Sequence, residues 1–360
     1  MDYNSYRRKT AQIRVGNIKI GGDAPVSVQS MTNTDTHDLE ATYRQVSALA
    51  AAGCDIVRIT APDVESADSF RALKARGVRV PIVADIHFDY KIALAVAPFV
   101  DKIRINPGNI GGKEKIREVV KACREYSLPI RIGVNSGSLE KNILAKHGAP
   151  TPEALVESAL YHASLLEELD FHDIAISVKA SSTVNMIAAN RALAKRCSYP
   201  LHLGVTEAGF GTSAIVKSSI GIGTLLSEGI GDTIRVSLTD DPLSEIEAAR
   251  EILRATGLYQ GGMNLVSCPT CGRTRIDLIS LASDFERRAR AEGLHRESIT
   301  VALMGCAVNG PGEAREADVG IAGGTREGLL FRRGEIVEKV PEDKLIDRLI
   351  EEIKTMKGKD

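Results

Sequence analysis

Between residues 26 and 257 the chain alternates between short β-rich runs and amphipathic helical stretches. The runs are "VSVQSM", "IVRIT", "PIVADIHF", "KIRINPG", "PIRIGVNSG", "IAISVKAS", "LHLGVTEAG" and "TIRVSLT". Between them lie stretches such as "DLEATYRQVSALAAAG", "GKEKIREVVKACREY", "PEALVESALYHASLLEEL" and "PLSEIEAAREILRATG". Their apolar residues recur at a spacing of about 3.6, and several end in Gly. A helix between two strands returns the chain to the end at which it started, so the strands pair in parallel. Eight such units predict a (β/α)8 TIM barrel, and the span is close to the ~250 residues typical of that fold. An open doubly wound sheet is the alternative. The stretch "GIGTLLSEGIGD" does not supply its G-x-G-x-x-G turn and falls in a helical pattern rather than after the first strand.

In such barrels the active site lies at the C-terminal ends of the strands, and there this sequence turns polar. Arg58 stands in "IVRIT", Asp85 and His87 in "ADIHF", and Arg104 and Asn106 in "IRINPGN". Arg131 and Asn135 share strand parity in "RIGVN". Lys179 follows in "SVKAS", Glu207 in "VTEAG" and Arg235 in "IRVSL". Residues two apart on a strand share a face, so these side chains are expected to point into one mouth. A single strand arginine is commonly a satisfied rim ion pair. A set of Arg58, Arg104, Arg131, Lys179 and Arg235 from separate strands, with Asp85 and Glu207 as the evident counter-charges, calls for an anion. Guanidinium forks match phosphate oxygens, which predicts a phosphate ester, with a diphosphate as one form of it. Glu207 is the expected general acid and His87 the secondary candidate. Gly209, Gly211 and Thr212 offer a phosphate loop after the seventh strand, although glycines there also serve as plain turn formers.

From about Met263 the pattern changes to a small α+β domain, which gives expected boundaries of 1–257 for the barrel and 258–360 for the second domain. Of six cysteines, Cys54, Cys123 and Cys197 fall in barrel elements and read as ordinary packed residues. Cys268 and Cys271 in "SCPTCGR" and Cys306 in "MGCAVNGPGE" stand at strand-to-loop junctions. There is no second C-x-x-C for a closed zinc site, but His295 leaves a mixed Cys3His zinc site open. An iron–sulfur cluster is the other reading. Glu313, past the "NGPG" turn, is then the candidate fourth ligand, harder and more easily displaced than a thiolate. The net charge of -1 gives no case for nucleic acid or a membrane surface. No apolar run approaches a membrane span, and "MDYNSYRRKTAQIRV" has no apolar h-region of a signal peptide. A C-x-x-C pair without a disulfide framework fits a reducing cytoplasm.

The motifs "VQSMTNT", "VADIHFDY", "RINPGNIG", "RIGVNSGSLE", "TEAG", "LLSEGIGDTIRVSLTDDP", "CPTCGR" and "MGCAVNGPGEAREAD" closely resemble those of the bacterial 4-hydroxy-3-methylbut-2-enyl diphosphate synthases, essentially end to end. The resemblance implies a two-domain enzyme of the non-mevalonate isoprenoid route. It implies 2-C-methyl-D-erythritol 2,4-cyclodiphosphate as substrate, reductive ring opening and dehydroxylation, and flavodoxin or ferredoxin as electron donor. It further implies a [4Fe-4S] cluster held by Cys268, Cys271, Cys306 and Glu313. Thr206 and Asn309 complete the expected substrate-binding set. Two other classes stand beside this reading: a non-redox barrel enzyme with a structural zinc domain, and a cluster-bearing electron carrier or nucleic-acid-binding zinc module.

Chain direction adds an expectation about assembly. The eighth helix ends at the face opposite the mouth, and about ten residues then lead to Cys268, reaching at most ~3.3–3.6 Å each. One chain's cluster is therefore not expected to cover its own mouth, and a head-to-tail homodimer with active sites shared between chains is.

Overall fold

The computed structural model describes residues 3–306 and 316–357. The chain divides into two compact units, Met1–Tyr259 and Gln260–Asp360.

In the first unit all eight expected runs form parallel strands. They are β3 (Ser27–Met31), β4 (Ile56–Thr60), β5 (Ile82–Asp85), β6 (Lys102–Ile105), β7 (Ile130–Asn135), β8 (Ile174–Lys179), β9 (His202–Leu203) and β10 (Thr233–Ile234). Their order in the sheet is β8-β7-β6-β5-β4-β3-β10-β9. A bridge between Ile176 and Leu201 joins the two ends of that order into a ring. The expected barrel is therefore present. The last two strands are shorter than their β-rich runs, so Thr206, Glu207 and Arg235 lie just beyond the ladder.

Helices intervene between the strands. They are α1 (Leu39–Ala51), α2 (Ser66–Ala75), α3 (Tyr90–Val96), α4 (Pro107–Ile110), α5 (Lys113–Glu125), α6 (Lys141–His147), α7 (Pro152–Glu167), α8 (Thr183–Ala194), α9 (Gly211–Ser227) and α10 (Pro242–Ala255). Their starts are set by short polar side chains. Asp38 accepts from the Ala41 N–H, Thr151 from Ala154 and Ser182 from Asn185, while Asp241 accepts from Leu243 next to Pro242. In α5 the buried residues are Ile116, Val119, Val120 and Cys123, one apolar stripe at helical spacing. These stripes meet the outward strand residues, such as Val57, Ile59, Ile103, Ile105, Ile130, Ile132 and Val134, in the main core.

A hairpin precedes the barrel, β1 (Ile13–Val15) and β2 (Ile18–Ile20). Its Ile13, Val15 and Ile20 pack on Ile56, Val83 and Ala175, which stand near the starts of their strands. The hairpin thus closes the floor of the ring with apolar side chains. Its sequence signal is "IRVGNIKI", alternating residues about a Gly-Asn turn.

The second unit carries a sheet of β11 (Asn264–Ser267), β12 (Thr300–Met304), β13 (Val319–Gly323), β14 (Glu327–Arg332) and β15 (Glu335–Pro341), in that order. Helices α11 (Leu278–Ala291) and α12 (Leu345–Lys357) contribute Phe285, Leu345, Leu349 and Ile353 to its core. Among the described residues no helix is long and apolar enough to cross a membrane.

Candidate active site and cysteine centre

Above its apolar floor the ring is lined by charge. Register places Arg58 beside Val83, Asp85 beside Arg104, and Arg104 beside Arg131. These residues alternate with the core-facing isoleucines, so they point inward. A barrel lumen is ordinarily filled by branched apolar residues. Here Lys102, Arg104, Arg131, Lys179 and His202 are buried in it.

Two inward glycines make this possible. A Cβ on Gly133 would stand 2.4 Å from Arg104 Nε, and one on Gly204 would stand 2.9 Å from Lys179 Nζ. Arg104 and Lys179 therefore lie across their neighbours' bare backbone. The motifs "RIGVN" and "LHLGV" contain these glycines, whose role is missed when only charged positions are read.

Asp85 is the hub of one side. It accepts from Arg104 Nη1 at 3.0 Å, with Arg58 Nε at 3.7 Å and His87 Nε2 at 3.9 Å. Burial alone would raise its carboxyl, but Arg58 and Arg104 outweigh that and hold it well below the ordinary range. Arg104 Nη1 also lies 3.2 Å from His87 Nε2. Burial lowers the His87 imidazole despite Asp85, and a guanidinium can only donate to the Nε2 it faces. Arg58 further points Nη2 at Met31 Sδ, 2.8 Å away.

The other cations have less to hold. Arg131 Nη1 faces the buried His202 ring at 3.2 Å, and among the described residues its Nε is buried without a partner. Burial, then repulsion from Arg58 and Arg104, pushes Arg131 well below its ordinary value. Burial and then Arg235, Arg131 and Arg58 do the same to Lys179, and burial with Arg131 and Arg58 to Lys102. Arg58 is pushed down to about 10, first by burial and then by Arg235 and Arg104 against the pull of Asp85. An arginine keeps its proton in a protein. The downward push therefore records burial first and repulsion second, and an anion in the mouth would relieve the repulsion.

The remaining expected residues border this space. Asn106 is buried, caps α4 and accepts from the Gly108 N–H at 3.2 Å, which leaves its amide NH2 free of that bond. Asn135 stands in register with Lys179. Thr206 follows β9, its N–H on the Ala180 carbonyl at 3.2 Å. Glu207 is exposed and takes a left-handed φ of 52°. Such a conformation is costly for a residue with a side chain and concentrates at functional positions. Among the described residues no cation pairs with Glu207, so it is not the second counter-charge expected from sequence. That part falls to Glu245 of α10, which is buried and 3.5 Å from Arg235 Nη2. A helix residue in "PLSEIEAAR" carries no strand-end signal, and reading only the strands passes over it.

In the second unit Cys268 follows β11, Cys271 lies in the next turn and Cys306 follows β12. Glu313 and Asn309 lie outside the described residues. Among the described residues no three His, Cys, Asp or Glu side chains are gathered as a metal site. The backbone nevertheless links the three cysteines. The Gly305 N–H donates to Cys268 Sγ at 3.2 Å, and the Gly305 carbonyl accepts from the Arg275 N–H at 2.9 Å. The Cys271 N–H donates to Thr274 Oγ1 at 3.1 Å, and the Thr274 methyl occupies the space where a Cβ on Gly305 would be. One glycine thus brings the Cys306 turn against the C-x-x-C turn, and a backbone N–H on sulfur is the environment a metal-bound thiolate needs. Cys54 and Cys123 differ: burial pushes both thiols up to about 12. All six cysteines are free.

Residues 10–250 match the GcpE TIM-barrel domain, and residues 264–355 match the GcpE protein C-terminal domain. The chain belongs to the GcpE family. Relatives in the family are similar over nearly their whole length. The 4-hydroxy-3-methylbut-2-en-1-yl diphosphate synthase (flavodoxin) of Clostridium perfringens is 57% identical, over 97% of this chain and 99% of its own. That of Geobacter sulfurreducens is 59% identical over 96% and 98%. That of Geobacillus thermodenitrificans is 56% identical over 97% and 92%. The two GcpE family matches fall one on each compact unit.

Proposed function

We propose that this chain converts 2-C-methyl-D-erythritol 2,4-cyclodiphosphate to 4-hydroxy-3-methylbut-2-enyl diphosphate. Two electrons and two protons enter, a ring C–O bond opens, and one hydroxyl leaves as water. The observation that carries the reading is the convergence of Arg58, Arg104, Arg131, Lys179 and Arg235 on one mouth, where burial and then the neighbouring cations push Arg58, Arg131 and Lys179 down. The relatives' name supports the same activity and a flavodoxin donor; a ferredoxin would serve the same step. The free cysteines accord with a reducing cytoplasm.

Cys268, Cys271, Cys306 and Glu313 would hold a [4Fe-4S] cluster, which when bound would supply one-electron transfer chemistry. The chain's own residues do the rest. The barrel cations seat the diphosphate and neutralise it, with Asp85 fixing Arg104 and Arg58. Asn106 and Asn135 flank the seat and supply neutral hydrogen bonds, as do Thr206 and Asn309 in this reading. Glu207 delivers a proton to the departing hydroxyl, which is a poor leaving group without one. His87 is the weaker donor, because its Nε2 faces the Arg104 guanidinium. Zinc has no redox chemistry and would leave the reduction without an electron source, and metal analysis separates the two.

The mouth is ringed by apolar side chains that solvent alone covers poorly. Phe88 and Phe210, in the loops after β5 and β9, and Val184, in the first turn of α8, are 74%, 72% and 73% exposed. They support a homodimer in which each chain's cysteine unit caps its partner's mouth. Anaerobic, reduced protein incubated with the cyclodiphosphate and followed by phosphorus NMR tests the activity. Co-expression of Glu207→Gln with Cys306→Ala tests the sharing: verified heterodimers should regain activity, and no recovery would mean that each chain builds its own site.

A further inference from the structure

A carboxylate from outside the strands bears directly on the mouth. Glu245 sits in the first turn of α10 and is 4% exposed. Its Oε2 accepts from the Ser30 hydroxyl at 2.8 Å. Its Oε1 accepts from the Leu238 N–H at 3.2 Å and faces Arg235 Nη2 at 3.5 Å. These partners belong to the first barrel strand, to the loop after the last, and to the mouth itself. Strand β10 pairs only through Thr233 and Ile234, and the Arg235 N–H on the Leu203 carbonyl at 3.0 Å is the last ladder bond. Glu245 then takes up the chain where the ladder stops. Among the described residues Arg235 Nε is buried without a partner, and Glu245 is the one carboxylate paired with this guanidinium. An arginine side chain has many rotamers, and anchoring one end of the fork removes most of them.

We propose that Glu245 is a positioning residue for substrate binding: it holds the Arg235 guanidinium at the mouth so that the fork meets the diphosphate in one orientation. It is the counterpart of Asp85, which holds Arg104 and Arg58 on the other side of the ring. Glu245 also opposes the repulsion felt by Arg58 and Lys179. The proposal rests on the barrel mouth being the seat of the diphosphate.

Glu245→Gln isolates the charge. The amide oxygen keeps the Leu238 N–H, and the Ser30 hydroxyl can turn to accept from the new NH2. The test is calorimetric titration of the cyclodiphosphate into full-length, cluster-loaded, oxidised protein, with Arg235→Met, Glu245→Gln and the double variant beside the parent. Each single change is expected to weaken binding about tenfold, and the double variant to bind no more weakly than Arg235→Met alone. A merely structural Glu245 would give multiplying losses or an unchanged affinity with a lowered melting temperature, and either overturns the proposal. If Arg235→Met itself binds as the parent does, the seat has been misassigned and both readings fall. Should Glu245→Gln not fold, Ser30→Ala decides. Weaker binding that vanishes in an Arg235→Met background supports the proposal, and unchanged affinity overturns it.

Discussion

The charged side chains of the barrel mouth are fixed by the strands that carry them, whereas the cysteines of the second unit stand where strands give way to loops. Register alone puts Asp85 beside Arg104 and Arg104 beside Arg131. Bare glycine backbone then lets Arg104 and Lys179 lie flat. The cost is mutual repulsion, held in place by the ladder and relieved by an anion. The cysteine turns carry no such load. Cys306 is buried, Cys268 half-buried and Cys271 exposed, and a few backbone bonds around Gly305 tie them together. One region is organised for charge by its own fold. In the proposed reading the other is organised for a guest that itself supplies the strongest bonds.

Several substitutions break this contrast, and they rank by size. The largest effect is expected from Cys306→Ala. Iron binding and turnover should vanish, while affinity for the cyclodiphosphate stays within about threefold, a change below 1 kcal/mol. Metal analysis and calorimetry on the same sample check both halves. Next comes Glu207→Gln, which keeps shape but cannot donate a carboxylic proton. A fall in kcat of about 10²-fold or more with binding retained is the expected signature. If affinity collapses while kcat holds, Glu207 binds rather than donates.

Gly133→Ala attacks the mouth without touching a charge. Its methyl would meet Arg104 Nε at 2.4 Å and displace the guanidinium. Binding should weaken about tenfold, roughly 1.4 kcal/mol, with the iron content untouched. A parent-like affinity would mean that Arg104 has room to spare.

The smallest expected effect concerns protons. In the free protein Lys179 is pushed well below its ordinary value, first by burial and then by Arg235, Arg131 and Arg58. An anion favours the charged amine, so binding should take up protons, and affinity should decline as pH rises through the depressed pKa of the free protein. The cyclodiphosphate has one strongly acidic hydroxyl on each phosphorus, so its own charge is constant across the neutral range. Titrations in buffers of different ionisation enthalpy read the uptake directly. Identical apparent enthalpies would contradict it.

How far the sequence discloses this depends on the kind of signal. The eight strands are legible because alternation with helices has one architectural reading, and Arg58, Asp85, Arg104 and Arg131 follow from parity. The floor hairpin is announced only by "VGNI", a turn signal easily passed over beside charged neighbours. Glu245 is hidden because a glutamate in a helix first turn is ordinarily a surface residue that favours the helix dipole. Only tertiary packing brings it 2.8 Å from Ser30 Oγ on the neighbouring strand. Gly133, Gly204 and Gly305 stand inside well-marked motifs, yet the reason for each is what lies over it: the Arg104 side chain on Gly133, the Arg235 carbonyl and Lys179 side chain on Gly204, and the Thr274 side chain on Gly305. That is information about a neighbour far along the chain.

The central claim is that the barrel seats the diphosphate by its own charges, apart from the cysteine unit. Calorimetric titration of the cyclodiphosphate into full-length Cys306→Ala protein tests it most directly. The account predicts saturable, salt-sensitive binding close to that of the parent protein, accompanied by proton uptake. Loss of binding in this variant, with the barrel folded and its melting temperature unchanged, would contradict it.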